Sequence, residues 1–142
     1  MTPTTRLDVV AKLKDRAEER ARRDLATARK ATTLAEAQAA DAHKATLADG
    51  RIRGSAASFE TIDLAQARAL SRLKAARAQV AVAAKNEQLA VGKHHDAWRG
   101  AEAVHRAADA RREELMVEER KVERRDSDEI ASILFFRRRM TG

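Results

Sequence analysis

From residue 62 to residue 115 the chain repeats a mostly small or apolar side chain at alternating steps of four and three, without a slip. The positions are Ile62, Gln66, Ala69, Leu73, Ala76, Val80, Ala83, Glu87, Ala90, His94, Ala97, Ala101, Val104, Ala108, Arg111 and Leu115. Such alternation averages about 3.5 residues per step, the period at which one stripe of an α-helix keeps facing a neighbouring helix as the two supercoil. A strand, whose side chains change face at every residue, is incompatible with it. Nearer the N-terminus Ala21, Leu25, Ala28, Thr32, Ala35, Ala39, Ala42 and Thr46 follow the same rule. Val10, Leu13 and Ala17 lead in through an extra four-residue step, and Val122, Asp126, Ile130 and Ile133 carry another near the other end. Each extra step is a stutter, which locally relaxes the supercoil.

Between the two seams lies the one strong interruption, Ala48-Asp-Gly-Arg-Ile-Arg-Gly-Ser-Ala-Ala-Ser58. Gly50 can take the left-handed conformation that ends a helix, and Ser55 or Ser58 can cap the next, with Glu60 and Asp63 in its first turn. Thr4 or Thr5 is placed to cap the first helix. The expected fold is therefore all-α: a single coiled-coil domain over 1–142, built as a long antiparallel two-helix hairpin (helix 5–49, turn 50–57, helix 58–138) with a longer second helix.

Alanine fills the seams. It accounts for 32 residues, half of the 44% hydrophobic fraction, while aromatics make up 3%. That is too little large apolar area to wrap a globule. Buried area stabilises by about 25 cal/mol per Å², so alanine layers contribute weakly and intrinsic helix propensity carries much of the order. A slender, marginally stable and flexible rod is expected. A fold at about residue 54 sets the N-terminus opposite roughly residue 103, leaving roughly 35 residues of the second helix unpaired; at about 1.5 Å per residue the paired part measures about 70 Å and the overhang about 50 Å. Leu115, Met116, Val117, Val122, Ile130, Ile133, Leu134, Phe135 and Phe136 gather in that overhang. An apolar stripe left without a partner needs a second copy or a groove in another protein.

The net charge is +7, with both signs interleaved along the chain. Interleaved charge reads as the solvated faces of long helices. The competing reading is a basic coiled coil that binds nucleic acid, with an affinity that falls steeply as salt rises. The Arg137-Arg138-Arg139 run either touches phosphates or an anionic membrane, or offsets the negative pole of a helix end. There is no cysteine, hence no disulfide, Cys-ligated zinc or thiol nucleophile. The longest apolar run, 80–84, is far short of the roughly 20 residues of a membrane span. The N-terminus MTPTTRLDVV lacks a signal peptide's apolar stretch, so a cytoplasmic protein is expected. His94 and His95 diverge by about 100° on a helix, and His43 and His105 stand alone. These read as surface or seam residues, with His94 fixing register, and no metal is expected. Carboxylates have basic neighbours three or four residues away, as Glu114 has Arg111, and read as helix-surface pairs. No phosphate loop occurs. The chain reads as a non-enzyme, with no cofactor and no small-molecule substrate.

Glu123-Arg-Arg-Asp-Ser-Asp128-Glu129-Ile130-Ala131, followed by phenylalanines and arginines, resembles the C-terminal signature of the FliJ family of flagellar type III export proteins. In that signature a glutamate lies five residues before an Asp-Glu pair followed by an apolar residue. The Arg6-Leu7-Asp8-Val9-Val10 opening, the glycine-containing turn after some 50 residues and the longer second helix are also similar, so the resemblance spans essentially the whole chain. It implies an antiparallel coiled-coil stalk, similar to the gamma stalk of rotary ATP synthases. Such a stalk sits in the central hole of a hexameric export ATPase and contacts the export-gate membrane protein and export chaperones at the cytoplasmic face of the inner membrane. The homologous stalk of virulence-type secretion is equally compatible. Near the turn, Ile52, Phe59, Ile62 and Leu64 form the apolar surface available to a gate. The partner-binding residues expected from overhang and resemblance together are Leu115, Val122, Glu123, Asp128, Glu129, Ile130, Ile133, Phe135, Phe136 and Arg137. A homodimer through the overhangs is the remaining partner reading.

Overall fold

A computed structural model describes residues 5–47 and 56–140. It contains two helices, α1 (Arg6–Leu47) and α2 (Ala56–Met140), which pack against each other, and no strand among the described residues. Gly50 and Ser55, expected at the turn, lie outside the described residues, as does the Ser58 side chain. The chain divides into two compact units, one of residues 17–97 and one of residues 1–16 with 98–142.

In the 17–97 unit the sheltered residues of α2 are Ile62, Gln66, Ala69, Leu73, Ala76, Val80, Ala83, Glu87, Ala90, His94 and Ala97, with every position from 59 to 97 between them exposed. The four-three seam is thus reproduced residue for residue. On α1, Glu18, Ala21, Leu25, Ala28, Thr32, Ala35, Ala39, Ala42 and Thr46 face it. Only Leu25, Ala35 and Leu73 are buried here, which reflects how little an alanine layer can cover. Polar seam residues have partners. The Thr32 hydroxyl donates to the Ala28 carbonyl at 3.1 Å, the His94 Nε2 to Glu18 Oε1 at 3.3 Å, and Arg29 Nε lies 3.6 Å from Glu87 Oε1. As numbers rise along α1 they fall along α2, which makes the pair antiparallel.

The unit formed by the chain's two ends differs from expectation in three respects. First, Val10 and Leu13 are exposed, at 40% and 59%, and Ala17 is exposed as well. The sheltered positions are instead Leu7, Asp8, Ala11 and Asp15. Hydrophobicity alone favours Val10 and Leu13, but α2 presents cationic groups here. Asp8 accepts from Arg112 Nη1 at 3.1 Å and Asp15 from His105 Nε2 at 2.7 Å, so charge pairing turns the other face of α1 inward. Second, Arg111 is exposed and Arg112 takes the sheltered place. Third, the register is longer. A fold at residue 54 sets Asp8 opposite roughly residue 100, whereas it pairs with Arg112, because interlocked side chains and not the midpoint of the interruption fix an antiparallel register. Leu115 and Met116 are consequently half-buried, and the uncovered part of α2 runs from 117 to 140, which is 24 residues and not 35.

Thr5 begins α1 through one half of a capping box. Its N–H donates to Asp8 Oδ2 at 2.6 Å, while the Asp8 N–H returns to the Thr5 carbonyl at 3.1 Å. The Thr5 hydroxyl is buried without a hydrogen bond among the described residues, so the cap works through the carboxylate three residues on.

Candidate partner-binding helix

The uncovered segment of α2 starts from a charged root. Arg112 bridges Asp8 on α1 and Asp109 on its own helix. The backbone N–H of Thr5, with Arg112 nearby, holds the Asp8 carboxyl below the ordinary carboxylate range. The hydrogen bond to Asp15 raises the His105 imidazole above its ordinary value. Arg111 is likewise raised by its bond to Glu114, 2.7 Å away. Arg112 and His105 tie α2 to α1 immediately before its cover ends.

Beyond Met116 every residue to Met140 is exposed. Helicity there rests on local features: Glu, Arg, Lys and Leu of good propensity, no Gly or Pro in 117–140, and three arginines in the last turn opposing the dipole. Ser132, of weaker propensity, returns its hydroxyl to the Asp128 carbonyl at 2.8 Å. What such a helix lacks is burial. Val122, Ile130, Ile133, Leu134, Phe135 and Phe136 are each between 51% and 63% exposed, nearly all that a helix surface permits.

At about 100° per residue, Leu115, Val122, Ile133 and Met140 form one stripe, flanked by Ile130 and Phe136. Phe135 points to the other side, and its ring meets that of Phe136 edge to face with centroids 6.1 Å apart. Residues 130–136, Ile-Ala-Ser-Ile-Leu-Phe-Phe, therefore present apolar side chains on every side over two turns except the one that Ser132 occupies. A surface helix that packs on one partner face shows a single stripe, while one that is apolar all round is covered all round. Two shallow hollows mark the surface. One is lined by Leu115, Glu118, Glu119, Val122 and Glu123, the other by Ala131, Leu134, Phe135, Arg137 and Arg138.

Of the residues expected to bind a partner, Val122, Glu123, Asp128, Glu129, Ile130, Ile133, Phe135, Phe136 and Arg137 lie together on this exposed segment, and Leu115 sits half-covered at its root. Ala131 and Arg138 are not among the partner-binding residues expected from sequence, although their spacing from Leu134 and Phe135 places them beside the same hollow. The expected surface pairing of carboxylates holds at Arg23 with Glu19, Arg106 with Glu102 and Arg111 with Glu114. It stops at Glu114: none of the carboxylates between Glu118 and Glu129 forms an ion pair among the described residues. No group of three or more His, Asp or Glu among the described residues could hold a metal ion, and no described helix is long and apolar enough to cross a membrane.

Comparison with known proteins gives one match, to the family model described as "Flagellar FliJ protein", over residues 3–140. No curated protein and no solved structure matches.

Proposed function

Because the chain belongs to the flagellar FliJ family, whose members are components of the flagellar export apparatus, we propose that it is the apparatus's non-enzymatic stalk. Its exposed C-terminal helix enters the central hole of the hexameric export ATPase. The hairpin then assists delivery of substrates or their chaperones to the export-gate membrane protein at the cytoplasmic face of the inner membrane. The observation that carries this reading is the tip at 130–136, apolar on every side but that of Ser132. A flat partner would leave half of it wet, whereas a ring covers every side at once. Burying one exposed Ile or Phe side chain contributes about 1.5–3 kcal/mol, so two such residues account for a large part of a micromolar affinity, about 8 kcal/mol.

Co-purification with the export ATPase tests the proposal. The wild-type chain is expected to form a stable complex, and Ile130→Ala with Phe135→Ala to abolish it while leaving the hairpin's helix content intact, since both side chains lie outside its seam. Absence of a wild-type complex refutes the stalk reading.

A further inference from the structure

The charges of 118–129 are largely sorted by face. With Val122 as origin and about 100° per residue, five of the six carboxylates, Glu118, Glu119, Glu123, Asp126 and Glu129, fall within an arc of about 140° centred on the apolar stripe. Arg120, Lys121, Arg124 and Arg125 occupy an arc of similar width on the opposite side, with Asp128 among them; farther along, Arg137 returns to the acidic side. The sorting puts Glu119 four residues from Glu123, Arg120 from Arg124 and Lys121 from Arg125, three like-charge pairs at that spacing against two opposite ones, Arg124 with Asp128 and Arg125 with Glu129. None of the five carboxylates makes an ion pair or side-chain hydrogen bond among the described residues. Three of them line the hollow around Leu115 and Val122.

We propose that this acidic-apolar face docks onto a basic surface of the partner protein, one that sets Lys or Arg side chains beside an apolar floor, with the arginine-rich back of 118–129 turned away from that surface. The inference rests on the stalk reading and adds the polarity of the contact. A second copy of the chain fits poorly. The sheltered positions at the root continue in steps of three and four through Leu115, Glu119, Val122, Asp126, Glu129, Ile133, Phe136 and Met140, a seam with three carboxylates and no cation. Two such seams aligned in parallel set Glu119, Asp126 and Glu129 against themselves. Aligned antiparallel over the same span, they set Asp126 against Glu129 twice. Like charges placed directly across an interface suppress association, whereas a complementary surface gains both encounter rate and register.

The test uses the full chain and the export ATPase, with binding measured at low and high salt. Neutralising the front, Glu119→Gln with Glu123→Gln and Asp126→Asn, is expected to weaken binding on the order of tenfold at low salt and to flatten its salt dependence. Neutralising the back, Arg120→Gln with Lys121→Gln and Arg124→Gln, is expected to leave binding within about twofold of wild type. If Asp126→Asn disturbs the helix by circular dichroism, the Glu119→Gln/Glu123→Gln pair gives the reading, since it only removes a repulsion. Front variants that bind like wild type, or front and back losses of equal size, overturn the inference and leave the stalk reading standing. A wild-type chain that is dimeric by light scattering also overturns it. A wild-type chain that does not bind the ATPase overturns both.

Discussion

His105 joins the two helices through a single proton. Its Nε2 donates to Asp15 at 2.7 Å, and the carboxylate, with Asp109 and Glu102 also near, favours the charged imidazolium and raises its pKa over the unfolded chain's. On the α1 side the charges closest in sequence to Asp15 are Lys14 and Arg16, and on α2 Arg106 adjoins His105 and Arg112 lies within two turns. A group whose folded pKa is raised contributes stability that is full below its unfolded pKa and lost as pH rises through the folded one. Thermal stability of the wild-type chain is accordingly expected to fall as pH climbs from about 6 to 8, starting near the ordinary imidazole value of about 6.5. His105→Gln, which cannot charge, should lower the melting temperature at pH 6 and flatten that slope; an unchanged slope in the variant would assign the pH dependence elsewhere. Asp8 behaves oppositely. Its lowered pKa means that its contribution is present above about pH 4 and lost in acid.

Each helix is held by what its sequence puts on one stripe, and the two helices were unequally legible. In α2 the seam from Ile62 to Ala97 could be read directly because alanine and β-branched side chains recur there without competing apolar residues inside the paired stripe. In α1 the same rule failed over the first three turns. Val10 and Leu13 looked like seam residues, but the inward face is chosen by Asp8 and Asp15, whose partners Arg112 and His105 lie some ninety to a hundred residues away, and no local period carries that information. Overhang length inherited the same error, since it depends on register. The exposed stripe and its apolar tip were legible because neither needs a tertiary partner to exist. The mid-helix glycines offer a check on the balance between propensity and packing. A Cβ at Gly92 would meet nothing within 4 Å, and one at Gly100 only the Lys14 side chain at 4.0 Å. Gly92→Ala should therefore stabilise α2 by about 1 kcal/mol, seen as a melting temperature raised by a few degrees. No change, or a loss, would show that the helix is held by its seam alone.

Across the whole chain, side-chain size is distributed by role. Of the six buried apolar residues among those described, four are alanine. Ile130, Ile133, Leu134, Phe135 and Phe136, by contrast, are all exposed within one short stretch of α2. A chain that stabilised only itself would place those side chains in its seams, where each large-for-small exchange gains area. The proposed stalk role gives the uneven placement a purpose: the residues that could form a core are the ones offered to a partner. The central claim is that 117–140 is the binding element, and amide hydrogen exchange across the full chain, alone and with the export ATPase, tests it most directly. In the free chain, amides of 117–140 should exchange much faster than those of 62–97, because they lack tertiary cover. On adding the ATPase, the account predicts new protection concentrated in 117–140 and strongest over 130–136. Protection confined to the hairpin seam, with the exchange of 117–140 unchanged in a formed complex, would contradict it.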